Sequence, residues 1–193
     1  MPTKRIEALV DGIFAIAMTI LVLELTVPAI SGQLSNTVVQ EVLLNDILPR
    51  FYSVVLSFAL LGVFWVIHHR IFQLIKRVDN NLLFINITWL LFIVLVPFTT
   101  TLIGDYGFPI SHAIFNLNMF GIALFLYLNW HYADRSALIH EKVDAAQVAI
   151  TKRINLLFIL LSLLAILLSF IIPHWCEVIY ALIIPLEAIL KRL

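Results

Sequence analysis

The chain contains 193 residues, of which 62% are hydrophobic and 12% are charged, and its mean hydropathy is +1.05. Soluble domains usually contain about 45–50% apolar and roughly 25% charged residues, so this composition excludes a soluble enzyme, a disordered chain and a nucleic-acid binder. The formal net charge is zero, which implies no polyanionic partner. The single cysteine, Cys176, excludes an internal disulfide. The sequence therefore predicts a membrane protein.

Six apolar segments approach the length of about 20 residues that a helix needs to cross the hydrocarbon core. The sixth is the weakest, because it is short and contains Glu177, Pro185 and Glu187. A lipid-exposed helix tolerates such residues badly, so we expect this segment to pack inside a bundle or to lie at the membrane interface. The prediction is an all-α, polytopic membrane protein with six transmembrane helices in a single domain, residues 1–193. In chain order the helices cover about residues 6–27, 47–69, 82–103, 110–132, 154–172 and 175–190.

The basic residues indicate how the chain crosses the membrane. In a six-span layout, 11 of the 12 Lys and Arg residues fall on one side, and only Arg50 lies near the other. Cytoplasmic loops carry an excess of Lys and Arg, so we expect both termini to be cytoplasmic, in a plasma or inner membrane. The stretch from Tyr132 to Lys152 is interpreted as a helical cytoplasmic extension. The 11 residues are Lys4, Arg5, Arg70, Lys76, Arg77, Arg135, Lys142, Lys152, Arg153, Lys191 and Arg192.

The first apolar segment is unusually polar. It contains Glu7, Asp11, Thr19 and Glu24. A charged residue at membrane depth costs about 2.5–3.5 kcal/mol on insertion scales, so its retention suggests function. Glu7 and Glu24 lie near the two ends of the segment, where both can reach water. Asp11 lies a turn deeper on a short side chain, which favours a buried or pore-mouth role. The acidic residues and the lack of an Ala-x-Ala site argue against a cleaved signal peptide.

The same segment has a narrow stripe of small and aliphatic residues. At about 100° per residue, Gly12, Ile16, Thr19 and Leu23 fall on one side of the helix. This is the spacing of a coiled-coil seam. In a bilayer, small residues favour close contact between helices, and a narrow pore can have such a wall. The spacing alone leaves both interpretations open.

A motif in the first helix resembles that of a known family. Residues 5–19 read RIEALVDGIFAIAMT, with Arg5 and Asp11 separated by five residues. They resemble the first helix of the transmembrane protein 175 potassium channels in their single-repeat bacterial form, which is marked by Arg, three residues and then Phe-Ser-Asp. Here residues 9–10 are Leu-Val in place of Phe-Ser. The six spans and the His-His-Arg at residues 68–70 also match the family.

The resemblance implies a homotetramer in which the first helix of each subunit lines a central pore for K⁺ ions, without a cofactor. Family members constrict the pore with bulky aliphatic side chains. That ring corresponds here to Ile16, the hydroxyl ring to Thr19 and a further aliphatic ring to Leu23, on the stripe that also contains Gly12. The resemblance therefore favours the pore-wall interpretation.

The side-chain chemistry of these residues predicts a role for each. Four Ile16 side chains around an axis form a constriction that water leaves readily, a hydrophobic gate that rotation of the helix would open. The Thr19 hydroxyls lie about 4.5 Å further along the helix and could replace part of an ion's hydration shell. Arg5 and Asp11 are expected to tie the helix to its neighbours at the cytoplasmic end, with His68 or His69 as partners.

A secondary transporter is the alternative function. A proton-coupled or proton-conducting transporter could use Asp11, Glu24 and the histidines as relay groups. Transporters usually contain inverted repeats and helices broken at the midplane, and neither is evident in the sequence. We predict no enzyme, because no nucleophile is accompanied by a base.

Two further patterns have simple interpretations. Residues 103–107 contain a Gly-Asp-Tyr-Gly run, which we expect to form a tight outer turn, since too few residues surround it for a re-entrant pore helix. No metal site is predicted. His68 and His69 point about 100° apart on a helix, and the other histidines are scattered without ligand spacing.

Overall fold

The chain forms a bundle of long helices. The computed structural model describes residues 3–28 and 35–183. Five helices are long and apolar enough to cross a membrane, and within the described residues there is no β-strand, which confirms the predicted all-α, polytopic class. The helices are α1 (Thr3–Leu23), α2 (Asn36–Gln73), α3 (Asn80–Tyr106), α4 (Pro109–Arg135) and α5 (Ala145–Leu168), followed by a 3₁₀ helix (Pro173–Leu182).

The sixth predicted span is described only in part. Its first residues belong to the 3₁₀ helix, which packs against α5 and α4 and buries Cys176, Glu177 and Tyr180. Residues 184–190 of this span, with Pro185 and Glu187, lie outside the described residues, as do Lys191 and Arg192. The interpretation that this segment packs onto the bundle agrees with its described part.

Several helix ends differ from the predicted ones because polar groups set them. Helix α1 ends at Leu23, and the chain beyond it is held by Arg50, whose Nη1 donates to Thr26 Oγ1 at 2.9 Å. Helix α2 begins well before residue 47, at an N-cap in which Ser35 Oγ accepts the Val38 N–H. It includes a π-helical turn at Leu43–Ile47. Hydropathy identifies the apolar segments that can lie in lipid, but it does not detect the hydrogen bonds that begin or end a helix.

The predicted helical extension from Tyr132 to Lys152 is wrong. The stretch is broken between α4 and α5, where the Lys76 N–H donates to the Leu138 carbonyl and the His140 N–H donates to the Leu74 carbonyl, each at 2.9 Å. These bonds join the α2–α3 and α4–α5 loops and compete with helix continuation. We call this end of the bundle the basic end, since both loops contain Lys or Arg, and the other the far end.

The tight turn predicted at residues 103–107 is confirmed only at its end, because residues 103–106, with Gly104, are the last residues of α3 and the turn itself is Gly107 and Phe108. Gly107 has φ +59°, a left-handed conformation that favours glycine, and its N–H donates to the Ile103 carbonyl at 3.0 Å. Only Gly107 and Phe108 separate α3 from α4.

An aromatic stack joins the first three helices in the core. The Phe14 ring of α1 lies 5.6 Å from the Trp89 ring of α3, measured between centroids. Trp89 stacks on His68 of α2 at 4.4 Å, and His68 stacks on Phe72 at 4.1 Å. The Trp89 indole N–H also donates to the Ile122 carbonyl of α4 at 3.1 Å. Helix α1 is thereby attached to α2 and α3 by large buried side chains.

Close packing between α3 and α4 depends on a glycine. A Cβ atom added to Gly121 would lie 2.3 Å from the ring of Phe92, which itself stacks on Phe125 at 5.4 Å. Small residues let helix backbones approach each other in membranes, where burial of apolar surface gives no drive to associate.

We therefore expect Gly121→Ala to lower the free energy of unfolding by about 1–3 kcal/mol, the usual cost of overpacking. Thermal unfolding in detergent measures this. Gly62→Ala is the matched control, because its added Cβ would meet only Met18 Cε at 4.0 Å. It should be neutral or stabilise the protein by up to about 1 kcal/mol, since alanine is the better helix former. Similar losses at both positions would contradict the packing role of Gly121.

Candidate functional site

Helix α1 has one covered and one uncovered face. Its buried residues pack towards α2 and α3, whereas the predicted stripe lies about 150° away around the helix. In the protomer, Ile16 is 60% and Leu23 71% exposed, and Gly12 and Thr19 are exposed as well. The structure thus brings the four stripe residues together on one free surface. The buried residues are Ile6, Val10, Phe14, Ala17 and Leu21.

The free face makes α1 the least covered of the five long helices. Only 28% of the most apolar stretch of α1 is buried, against 61% for α4. The acidic residues Glu7 and Asp11 lie outside the stripe on the helical wheel, and Glu24 follows the last residue of α1. The stripe itself is therefore an uncovered, mainly apolar surface with one hydroxyl group, that of Thr19.

The stripe is apolar except for one hydroxyl group, that of Thr19. The Thr19 hydroxyl donates within its own helix, to the carbonyls of Ala15 and Ile16 at 2.9 and 2.8 Å. Its single proton is shared between these two carbonyls, and the two lone pairs of its oxygen are available to a cation. A Cβ added to Gly12 would meet nothing within 4 Å, so the backbone there is open to close approach.

Asp11 ties α1 to α2 through a tryptophan. The Trp65 indole N–H donates to Asp11 Oδ1 at 2.8 Å. The Trp65 ring stacks on His69 at 5.9 Å between centroids, and Gln73 Nε2 donates to His69 Nε2 at 2.9 Å. The bonding partner of Asp11 is therefore Trp65 and neither of the two expected histidines. The sequence signal for Trp65 is its i, i+4 spacing to His69, which places both side chains on one helix face but does not indicate Asp11 as the partner.

His68 and Arg5 have other environments. His68 is 1% exposed, and its Nε2 lies 2.9 Å from Asn86 Oδ1 of α3, so it belongs to the core. Arg5 is exposed and makes no side-chain hydrogen bond or ion pair within the described residues. The structure thus joins Asp11 to His69 through Trp65, directs His68 inwards and leaves Arg5 apart.

A second set of contacts holds the far end of α1. Thr101 of α3 donates its hydroxyl proton to Glu24 Oε2 at 2.5 Å, a short charge-assisted hydrogen bond. Arg50 of α2 donates to Thr26 and lies 3.1 Å from Asp105 Oδ1 of α3 through its Nε. The chain after α1 is therefore tied to α2 and α3, and the positive charge of Arg50 is balanced.

Comparison with known proteins places this arrangement in a family. Residues 5–97 match the family model described as endosomal/lysosomal potassium channel TMEM175. The chain is also 36% identical over 157 residues to a protein of Chamaesiphon minutus named a potassium channel, covering 78% of this chain and 76% of that protein. The chain belongs to the TMEM175 family. The matched region begins at Arg5, the first residue of the motif.

A second sequence relative and a solved structure agree with this assignment, and the solved structure aligns with nearly the whole chain. A Streptomyces collinus protein named a potassium channel is 33% identical over 156 residues, covering 77% of this chain and 73% of that protein. The crystal structure of a lysosomal potassium-selective channel TMEM175 homolog from Chamaesiphon minutus superimposes with a TM-score of 0.73 at 31% identity. That alignment covers 98% of this chain and 96% of the other.

The Asp11–Trp65 contact can be tested by removing each partner. Asp11→Ala and Trp65→Phe should each destabilise the folded, assembled protein by about 1.5–3 kcal/mol, the range for a hydrogen bond to a charged group. Because one contact is lost in both, the double variant should cost little more than either alone. Thermal unfolding in detergent and the assembled fraction in size-exclusion chromatography measure the effect.

Asp11→Asn serves as the control, since its amide oxygen can still accept the Trp65 N–H, and it should lose less. An Asp11→Ala protein that assembles normally but shows altered ion preference would place Asp11 in the ion path and not in an anchoring contact.

Proposed function

We propose that the protein is a potassium-selective ion channel of a cell membrane, a homotetramer whose α1 helices line the pore. The observation that supports this best is the free stripe on α1, with Ile16 and Leu23 uncovered while the opposite face is held in the bundle. The family membership and the relatives named as potassium channels support the same function. The permeant K⁺ ion is the transported substrate, and no cofactor is required.

The position of α1 in the protomer supports the proposed assembly. One protomer contains a single α1, so a pore lined by this helix needs several copies around a closed symmetry axis. Gly12 leaves open space at the basic side of the stripe, where neighbouring helices can approach.

The proposed path has three rings along α1. Ile16 forms the aliphatic constriction, which excludes water when it is narrow and so blocks ions. Thr19 lies about 4.5 Å further along, where its outward lone pairs can replace water around a partly dehydrated K⁺ ion. Leu23 lies about 6 Å beyond Thr19 and forms the outer aliphatic ring.

The α3–α4 connection does not offer a backbone-carbonyl filter. Only Gly107 and Phe108 lie between these helices, too few for a re-entrant pore helix and filter loop. Side chains of α1 are therefore the groups that we propose for selectivity.

The transporter alternative fits the geometry less well. Asp11 lies within α1, eight residues from its first residue, and Glu24 follows the last residue of the helix, about 20 Å further along the axis. Their carboxylates accept hydrogen bonds from Trp65 and Thr101, and the stripe between them has only one hydroxyl, that of Thr19. Such a wall lacks the ionisable relay that a proton path along α1 requires.

The oligomeric state is the first test. We expect purified protein in mild detergent to have four times the protomer mass of 22.0 kDa after correction for bound detergent. Light scattering combined with refractive index and absorbance measures it. A monomer or dimer as the only species active in liposomes would contradict a pore lined by α1.

The second test changes the constriction. Ile16→Asn should hydrate it, raise the resting current and weaken discrimination between K⁺ and Na⁺. Planar-bilayer recording in opposed K⁺ and Na⁺ gradients measures both effects, and a reversal potential that follows the proton gradient would favour the transporter.

Leu160→Asn on α5 is the matched control. Leu160 is 56% exposed, and the substitution introduces the same amide group into the membrane. Ala17, the neighbour of Ile16 on α1, is unsuitable as a control position, since it is 3% exposed and its substitution would disturb the core.

Leu160→Asn should leave conductance and reversal potential unchanged. If Ile16→Asn is inert, or if both variants have the same effect, the stripe is a packing seam and the pore lies elsewhere.

A further inference from the structure

A buried group of three metal-ligating side chains lies at the far end, away from the α1 stripe. His112 of α4 and Cys176 and Glu177 of the 3₁₀ helix are 3%, 0% and 2% exposed. His112 Nδ1 lies 2.7 Å from Glu177 Oε1, and Cys176 Sγ lies 3.2 Å from the same oxygen. One ligand atom from each residue lies within 4.8 Å of the others. The proposed channel function uses none of these residues.

We propose that His112, Cys176 and Glu177 bind one divalent transition-metal ion with the preferences of zinc, which fastens the 3₁₀ helix to α4. Imidazole nitrogen, thiolate sulfur and carboxylate oxygen are the three ligand types that zinc takes in proteins. Hard cations such as Mg²⁺ and Ca²⁺ prefer oxygen and are poorly served by this set. Three protein ligands leave one tetrahedral position for water.

Charge balance favours a bound cation. Within the described residues, the buried Glu177 carboxylate has no Lys or Arg partner, and its one ion-pair partner is the His112 imidazole. An ionised carboxylate loses several kcal/mol on leaving water unless a positive charge compensates it. A divalent ion supplies that charge and also neutralises a Cys176 thiolate.

One buried nitrogen of this three-residue cluster lacks a hydrogen-bond partner within the described residues. His112 Nε2 is buried and has no hydrogen-bond partner within the described residues, although Nδ1 contacts Glu177. Whether the imidazole is neutral or charged, one ring nitrogen is left unsatisfied at a cost of about 1–3 kcal/mol. The cluster is therefore not fully explained as a self-contained hydrogen-bond network.

One group beside the sulfur suits a metal-bound thiolate. The Cys176 thiol donates to the Pro173 carbonyl at 3.0 Å, and Asn116 Nδ2 is directed at Cys176 Sγ as a donor at 3.5 Å. Tyr180 donates its hydroxyl proton to Asn116 Oδ1 at 2.8 Å, which orients the amide so that its N–H₂ group faces the sulfur. Outer groups that orient and stabilise the ligands are typical of metal sites. Sequence spacing could not indicate this site, because His112 and Cys176 come from distant parts of the chain.

Cobalt substitution gives a direct test. The full-length protein in detergent is stripped with a chelator and titrated with Co²⁺. We expect a thiolate-to-cobalt charge-transfer absorption that saturates at one ion per protomer and disappears on adding Zn²⁺. Cys176 is the only cysteine, so this band can arise from no other residue. Cys176→Ser should abolish the band, and Glu177→Gln should weaken Co²⁺ binding by at least about tenfold.

His140→Ala is the matched control, because His140 is exposed at the basic end and outside the cluster, and it should bind Co²⁺ like the unmodified chain. Zn²⁺ should also raise the melting temperature of the unmodified chain but not of Cys176→Ser, which is nearly isosteric. Absence of the band in the unmodified chain, or equal metal binding by Cys176→Ser, would overturn the proposal. Neither readout depends on ion conduction.

Discussion

The aromatic stack that runs from Phe14 through Trp89 to His68 determines which side of α1 the rest of the protein covers. Three helices contribute to it, and each ring is nearly inaccessible to solvent. Since residues on a helix have fixed angular positions, burying Phe14 in this stack necessarily turns Ile16 outwards. The free surface of the protomer is thus a consequence of its core. A change that loosened Trp89 would alter the direction of every residue on the stripe.

Polar groups in the bundle follow a common rule, because the hydrocarbon offers them no alternative partner. His68 bonds to Asn86 and Asp11 to Trp65, and each of these bonds joins two helices, while Thr101 of α3 bonds to Glu24, the residue that follows α1. In water these contacts would be worth little, since solvent competes for each group. In a bilayer they select one arrangement of helices among several that pack equally well. The polarity of α1 therefore serves both its attachment and the free face that it presents.

The sequence was sufficient to predict the helical class, five of the apolar segments and the stripe of Ile16 and Thr19. These depend on composition and on a period of 3.6 residues, which are local properties. Helix ends were predicted less well, because Ser35 and Arg50 act through specific hydrogen bonds that hydropathy does not register. The contact of Asp11 with Trp65, and the meeting of His112 with Cys176, join residues far apart in the chain. Such pairs become visible only when the packing of α1, α2 and α4 is known.

The anchoring of α1 at two points has a mechanical consequence. Trp65 holds Asp11 near the basic end, while Thr101 and Arg50 hold Glu24 and Thr26 at the far end. A helix held at two points along the chain cannot rotate about its axis as a rigid body. Any movement of Ile16 about the helix axis must twist the segment of about 20 Å between the clamps, or release one of them. The helical hydrogen bonds of this segment then oppose the twist. They favour the orientation in which Ile16 faces outwards.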